Sequence, residues 1–421
     1  ILQQSGRCLS AYVYSSAGNG ESTTDFVFSG SCFIAENANL LAEGKRFSLE
    51  NEMIVADIDI EALRNDRMKN SNYFMRREKS NNEIICTIEP ISVPFMYRKI
   101  ISHPFVPTQS FENENLSDVF TIQVQGLIKR LQHTGLNKVV IGVSGGLDST
   151  LAFLVATKAF DILGIPRENI YGITMAGFGT TKKSYKNAVT LIQSIGATLK
   201  EISIINSVRQ HFMDIEFDEN DHSVTFENAQ ARERMQILMD YANKVGGLVV
   251  GTSTLSELAL GWTTYNGDHM SMYSVNAGVP KTLVKSLVRW IAETQMEGSV
   301  REILNNILAM PFSPELLPAD DEGEIIQKTE DVVGPYELHD FFLYRMVRYG
   351  DEPKRIVFLA GRAFKDKYSE NEIAKWLKVF YKRFFSQQFK RSCMPDGPKV
   401  GSVNLSPRSD WRMPSDAEVK I

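Results

Sequence analysis

Lys138-Val139-Val140-Ile141-Gly142-Val143-Ser144-Gly145-Gly146-Leu147-Asp148-Ser149-Thr150 is the stretch that decides the fold. Lys138 to Val143 is a β-branched run, the pattern of a strand buried in a parallel sheet. Ser144 to Asp148 turns the chain, and an apolar helix is expected from Ser149 through Leu151, Phe153, Leu154 and Val155. A strand, a turn of small residues and a helix start together make an anion site. Gly145 and Gly146 let backbone N–H groups approach closely, and the helix end adds partial positive charge. No Gly-Lys-Ser/Thr follows the glycines, so this is not the Walker loop. Taken alone, the same residues also fit an ordinary Gly-rich turn with a helix-capping Asp or Ser.

Working outward, Leu116, Val119, Phe120, Val124, Leu127, Ile128 and Leu131 recur at helical spacing and stop near Gly135. Downstream, Ile170 to Met175 reads as a strand, Ala176 to Lys183 as a loop, and the next stretch as a helix up to Gly196. Leu199 to Ile204 and Gly247 to Gly251 add two more strands. Strands alternating with helices predict an α/β fold with a doubly wound parallel sheet. Its ligands should collect outside the carboxyl ends of the strands, near the topological switch point. Upstream, Leu9–Ser15, Phe26–Ile34, Met53–Ile58 and Ile84–Ile91 read as strands and Glu61–Asn70 as a helix. This is a piece of an α/β or α+β layer with no recognisable active site. The expected division is a partial domain over 1–100, a Pro/Ser/Asn-rich linker over 101–115 and the main domain over 116–421.

The 421 residues are 43% apolar and 23% charged, values of a globular chain with two or three domains. A net charge of −5 argues against a general nucleic-acid binder. The charge is uneven: Pro353 to Ile421 carries 15 basic against 7 acidic residues, a tail that could meet phosphates or simply be a solvated helical face. The four cysteines, Cys8, Cys32, Cys86 and Cys393, lack CxxC spacing and are expected to be reduced thiols in a cytoplasmic protein. No stretch reaches the ~18 apolar residues that a membrane span requires. The sequence opens at Ile1 without Met, so its natural start is expected to lie upstream.

Three further stretches hold chemistry-bearing residues. In Phe226-Glu227-Asn228-Ala229-Gln230-Ala231-Arg232-Glu233-Arg234, Asn228 and Arg232 are four apart and share a helix face. They can face one ligand, or belong to a solvated ion-pair helix. In Gly251-Thr252-Ser253-Thr254-Leu255-Ser256-Glu257, a strand end brings a hydroxyl and a carboxylate to the sheet edge. Glu257 can join Asp148 in neutralising Mg²⁺ or serve as a helix-start carboxylate. Thr263-Thr264-Tyr265-Asn266-Gly267-Asp268-His269 suits a heterocyclic ligand or is an Asn-Gly turn. At Pro280-Lys281-Thr282 a cation opposes the dipole of a helix start, which suggests a phosphate partner.

Ser144 to Ser149, Ser-Gly-Gly-Leu-Asp-Ser, resembles the pyrophosphate loop of the ATP pyrophosphatases, which make AMP and pyrophosphate from ATP. The resemblance becomes specific through motifs in order: Met175–Thr181, Glu227–Arg234, Gly251–Trp262, Asn276–Thr282, Gln388-Phe389-Lys390-Arg391-Ser392 and Leu405–Asp416. Together they are similar to the glutamine-dependent NAD⁺ synthetases along nearly the whole chain. Ala11–Gly18 and Glu21–Gly30, with Arg46-Phe47 and Val55–Asp57, resemble the second half of that family's nitrilase-type glutaminase domain. Ser409 stands where a Gly is common in the family.

The resemblance implies an ATP-dependent amidation of deamido-NAD⁺ to NAD⁺ through an adenylate. Gly142, Val143, Ser144, Gly145, Gly146, Leu147, Asp148, Ser149 and Thr252 would hold ATP. Asp148 and Glu257 would serve Mg²⁺, and Lys281 would approach the phosphates, with Asp148, Ser144 and Lys281 as the catalytic set. Asn228, Glu257, Trp262, Thr263, Thr264, Tyr265 and Lys390 would contact deamido-NAD⁺, with Arg232 and Asp268 second. The match to the amidase begins after its Glu, Lys and Cys, and neither Cys8 nor Cys32 stands in the nucleophile's motif. Ammonia rather than glutamine is therefore the nitrogen donor expected for this stretch. The family further implies a homodimer or larger assembly, with no nucleic-acid or membrane partner.

Overall fold

The computed structural model describes residues 1–71, 87, 96–107, 112–310, 316–317 and 329–420. They form two compact units, one of residues 1–101 with 345–367 and one of residues 102–344 with 368–421. The expected strand Ile84–Ile91 and Cys86 lie outside the described residues.

The first unit holds a three-stranded antiparallel sheet in the order β1 (Ala11–Ser15), β2 (Cys32–Glu36) and β3 (Asn39–Glu43). β1 pairs with β2 from Ala11 opposite Glu36 to Ser15 opposite Cys32. The expected strand Phe26–Ile34 survives only at its end. Phe26 and Val27 are 69% and 73% exposed, apolar enough to read as strand but without a ladder to join. Met53–Ile58 is likewise irregular chain rather than strand. The helix Ile60–Lys69 is present and is capped by the Asp59 carboxylate, which accepts the Ala62 N–H at 2.9 Å.

Residues 345–367, expected in the main domain, belong instead to this first unit. Ion pairs explain it. Arg355 Nη2 meets Asp59 Oδ1 at 2.5 Å, and Arg348 meets Asp66 at 2.8 Å. Asp351 takes Arg345 at 2.5 Å and Arg355 at 2.9 Å. Charge pairing between segments so far apart in sequence leaves no periodic trace.

The second unit carries a five-stranded parallel sheet in the order β6-β5-β4-β7-β8. The strands are β4 (Val139–Gly142), β5 (Ile170–Ala176), β6 (Thr198–Ser203), β7 (Leu248–Gly251) and β8 (Tyr273–Ser274). β4 sits centrally, with Val139 opposite Ile170 on one side and Leu248 on the other. Its side chains alternate between faces. Val139 and Ile141 join the core with the helices Glu112–Thr134, Leu147–Leu163 and Lys281–Thr294, while Val140 packs with Val249 and Leu238 of the helix Val224–Val245. The sheet is thus α/β and covered on both faces, and its strand order reverses between β4 and β7. No helix among the described residues is long and apolar enough to cross a membrane.

The turn after β4 is tighter than expected. The helix starts at Leu147, two residues before Ser149, so Asp148 sits in its first turn. Gly145 adopts φ +85°, and a Cβ there would lie 2.1 Å from the Ser184 carbonyl oxygen. Gly145→Ala is therefore expected to lower stability by about 1–3 kcal/mol. Chemical denaturation would check this; an unchanged midpoint would show that the turn relaxes without cost.

Candidate active site

At the carboxyl ends of β4 and β7 lies a cavity of about 650 Å³ within the second unit. Every residue expected to hold ATP, Mg²⁺ or deamido-NAD⁺ lines it except Gly145, which is buried behind the loop. Among them are Gly142 to Ser144, Gly146 to Ser149, Asn228, Arg232, Thr252, Glu257, Trp262 to Tyr265, Asp268, Lys281 and Lys390.

The loop after β4 is shaped by its own hydroxyls. Ser149 Oγ takes the Ser144 N–H at 3.2 Å and donates to the Gly146 carbonyl at 3.1 Å, while Ser144 Oγ accepts the Gly146 N–H at 3.3 Å. Facing this loop is Lys281, the first residue of its helix and only 4% exposed. Its Nζ donates to Asp148 Oδ2 and, at 2.9 Å, to Glu257 Oε1. Burial alone would favour the neutral amine, but Asp148 and Glu257 outweigh it and the pKa of Lys281 is raised. Burial pushes the Asp148 carboxyl up to about 6, with Lys281 pulling the other way. Above that pH the pair is an ammonium and a carboxylate.

Glu257 has the helix-start role. It forms a capping box with Thr254, whose N–H donates to Glu257 Oε2 at 2.9 Å. One of its oxygens serves Thr254 and the other Lys281, so the expectation of Glu257 as a metal ligand is not matched by a free oxygen. Asp148 differs: its Oδ1 is buried and has no hydrogen-bond partner among the described residues. That orphaned oxygen beside a phosphate-type loop fits a divalent cation such as Mg²⁺. Described His, Cys, Asp and Glu residues form no group of three or more able to hold a metal.

The other half of the cavity is a stapled loop. Asn228 Oδ1 accepts the Thr264 hydroxyl at 2.7 Å, and Asp268 accepts the Thr264 N–H at 2.7 Å. Arg232 Nε reaches the Tyr265 carbonyl at 3.3 Å. Burial raises the Asp268 carboxyl to about 6, with the nearby Glu257 adding to it. Tyr265 stacks on His269 and lies beside Phe389, each ring pair 5.3 Å apart.

Three cations cap the short helix Leu255–Leu260 at its carbonyl end. Arg391 Nη1 reaches the carbonyls of Leu258 (3.1 Å) and Ala259 (3.0 Å). Arg383 takes that of Leu260 (2.9 Å), and Lys390 those of Gly261 (2.8 Å) and Thr263 (2.6 Å). Arg383 also lies 4.9 Å over the Trp262 ring and lines the cavity. Sequence reasoning missed Arg383 and Tyr336, which sit in helices without a motif. Asn276, inside a stretch already singled out, proves to be the tie between loops: its Nδ2 donates to the carbonyls of Asp148 (2.9 Å) and Thr252 (3.2 Å).

The family model for NAD synthase matches residues 119–384. The chain belongs to the NAD synthase family. It is 43% identical to a glutamine-dependent NAD(+) synthetase of Mycobacterium leprae, over 99% of this chain and 66% of that protein. The corresponding protein of Aquifex aeolicus is 29% identical, over 97% of this chain and 65% of its own length. The chain thus spans just under two thirds of the length of these relatives. A crystal structure of a glutamine-dependent NAD(+) synthetase from Cytophaga hutchinsonii shares the fold, with a TM-score of 0.59 at 19% identity, over 99% of this chain and 64% of that one.

Arg391 is fully buried, and burial lowers its pKa to about 9. Removing it would orphan buried carbonyls, so Arg391→Ala is expected to cost about 3 kcal/mol or more in a denaturant titration. A loss near zero would show that the three-cation cap does not hold the site's frame.

Proposed function

We propose that this chain amidates deamido-NAD⁺ to NAD⁺, converting ATP to AMP and pyrophosphate, with ammonia as the immediate nitrogen donor. The observation that carries the reading is Lys281 between Asp148 and Glu257 at the mouth of the Ser144–Ser149 loop. An ammonium, a helix start and Gly-rich backbone amides converge where a pyrophosphate would leave.

The nicotinate carboxylate attacks the α-phosphorus of ATP, forming a carboxyl–phosphate bond as the bond to pyrophosphate breaks. Ammonia then attacks the acyl carbon, AMP leaves with the carboxyl oxygen, and the amine gives up a proton. No covalent nucleophile on the protein is needed. Positioning and charge stabilisation supply the rate. The loop amides and Lys281 hold the phosphates, and Ser144 and Ser149 keep the loop in shape. Thr252 lies on the ATP side. Asn228 and Thr263 to Tyr265 form the wall for the dinucleotide, with Trp262 offering an aromatic face backed by Arg383. Asp148 would hold Mg²⁺ through its free oxygen, and the ion would neutralise phosphate charge.

The first unit is read as part of a nitrilase-type glutaminase layer, the type of domain that would release ammonia from glutamine. The Cys8 and Cys32 thiols are free and serve no catalytic role in this reading. The protein is expected to work in the cytoplasm as a homodimer or larger homo-oligomer.

The direct test measures NAD⁺, AMP and pyrophosphate from deamido-NAD⁺ and ATP, with ammonium chloride against glutamine. Ammonium-supported NAD⁺ in step with AMP and pyrophosphate is expected, and NAD⁺ made equally well from glutamine would refute the nitrogen-donor assignment. Asp148→Asn should lower pyrophosphate release by about 100-fold or more at limiting Mg²⁺. Release at the wild-type rate would remove Asp148 from the metal role.

Lys390 adds a pH dependence. Burial and Arg383 lower its pKa to about 8 from its ordinary value. The charged form exists below that pH and is lost above it, so attraction for the anionic dinucleotide weakens as pH rises. The KM for deamido-NAD⁺ should climb between about pH 7 and 9. Lys390→Ala should raise that KM, more than the KM for ATP, and flatten its pH profile. An unchanged KM would confine Lys390 to capping carbonyls.

A further inference from the structure

One buried carboxylate has no part in the reaction as described. Asp340, in the helix Tyr336–Tyr344, is 1% exposed and lies outside the cavity lining. Its Oδ1 accepts the Ser256 hydroxyl, and its Oδ2 accepts the Thr282 N–H at 3.0 Å and the Thr282 hydroxyl at 2.7 Å. Ser256 Oγ in turn accepts the Lys281 N–H at 2.8 Å. The helix Lys281–Thr294 has Pro280 as its cap, which offers no capping side chain. Asp340 supplies what Pro280 cannot: directly or through one hydroxyl, it takes the first two N–H groups of that helix.

Tyr336 stands four residues before Asp340 on the same helix face. Its ring centroid is 5.3 Å from Lys281 Nζ. One helix therefore restrains Lys281 at both ends, through its backbone N–H and at its ammonium. A neutral side chain could cap a helix start. A carboxylate buried at a desolvation cost makes stronger, charge-assisted bonds and holds position more tightly.

We propose that Asp340 is a positioning residue for the amidation. Its bonds to Ser256 and Thr282 fix the start of the helix, so that the Lys281 ammonium stays between Asp148 and Glu257 where the phosphates arrive. This rests on the function proposed above. A shift of about 1 Å at a reacting group can cost about 100-fold in rate.

The test compares kcat and KM for ammonium-dependent NAD⁺ formation in the wild type, Asp340→Ala, Asp340→Asn and Ser256→Ala, per molecule that binds ATP. Asp340→Ala is expected to lower kcat by about 100-fold with the KM for deamido-NAD⁺ unchanged within about twofold. Asp340→Asn keeps an acceptor for Thr282 but loses the charge and the acceptor for Ser256, and should recover only part of that loss. Simple destabilisation would reduce the number of ATP-binding molecules and leave kcat per molecule alone. If Asp340→Ala does not fold, Ser256→Ala carries the test, with an expected fall in kcat of about tenfold. Wild-type kcat per ATP-binding molecule in whichever of these two variants folds would overturn the inference. A wild-type chain that makes no NAD⁺ overturns the proposed function, and this inference with it.

Discussion

The Lys281 ammonium, buried between Asp148 and Glu257, is the interaction on which the rest of the site depends. A lone buried ammonium costs several kcal/mol, so it persists only where the surroundings supply opposite charge in good geometry. Here that geometry joins three segments. Asp148 comes from the helix after β4, Glu257 from the helix after β7, and Lys281 opens a third helix. Each segment is tied again by hydrogen bonds, Asn276 between the first two and Asp340 behind the third. The arrangement leaves one Asp148 oxygen without a hydrogen-bond partner among the described residues, beside the Gly-rich turn.

Sheet topology explains why those segments meet. β4 and β7 are neighbours, and the strand order reverses between them. Loops leaving their carboxyl ends must diverge to opposite sides and leave a crevice. The helix Leu255–Leu260 is short, and its carbonyl end would be a poor anchor without Arg383, Lys390 and Arg391. The basic C-terminal tail is therefore partly a clamp on that helix. Lys390 serves it while facing the cavity, and Arg391 serves it from the core.

Much of this was legible in the chain. The β-branched run at Val139–Val143 and its Gly-rich turn announced a central buried strand and a tight strand-to-helix turn, because both follow from local sterics. Asn228 and Arg232 were legible through helix periodicity. Glu257 was legible as a residue with two open roles, since metal ligand and capping carboxylate look alike until the Thr254 bond is seen. Arg383, Tyr336 and Asp340 act through contacts spanning tens of residues, which no local pattern encodes. The segment 345–367 was misplaced for the same reason. Phe26–Ile34 erred differently: its apolar composition mimics a strand that finds no ladder before Cys32.

The account turns on ATP being cleaved between its α- and β-phosphates by the substrate carboxylate, and oxygen-18 transfer tests that claim most directly. Deamido-NAD⁺ labelled in its carboxyl group would be converted with ammonium and ATP, and the products read by mass spectrometry. Label arriving in AMP, with none in inorganic phosphate or pyrophosphate, is the result the account predicts. Label in inorganic phosphate with ADP formed, or no label in AMP while NAD⁺ accumulates, would contradict it.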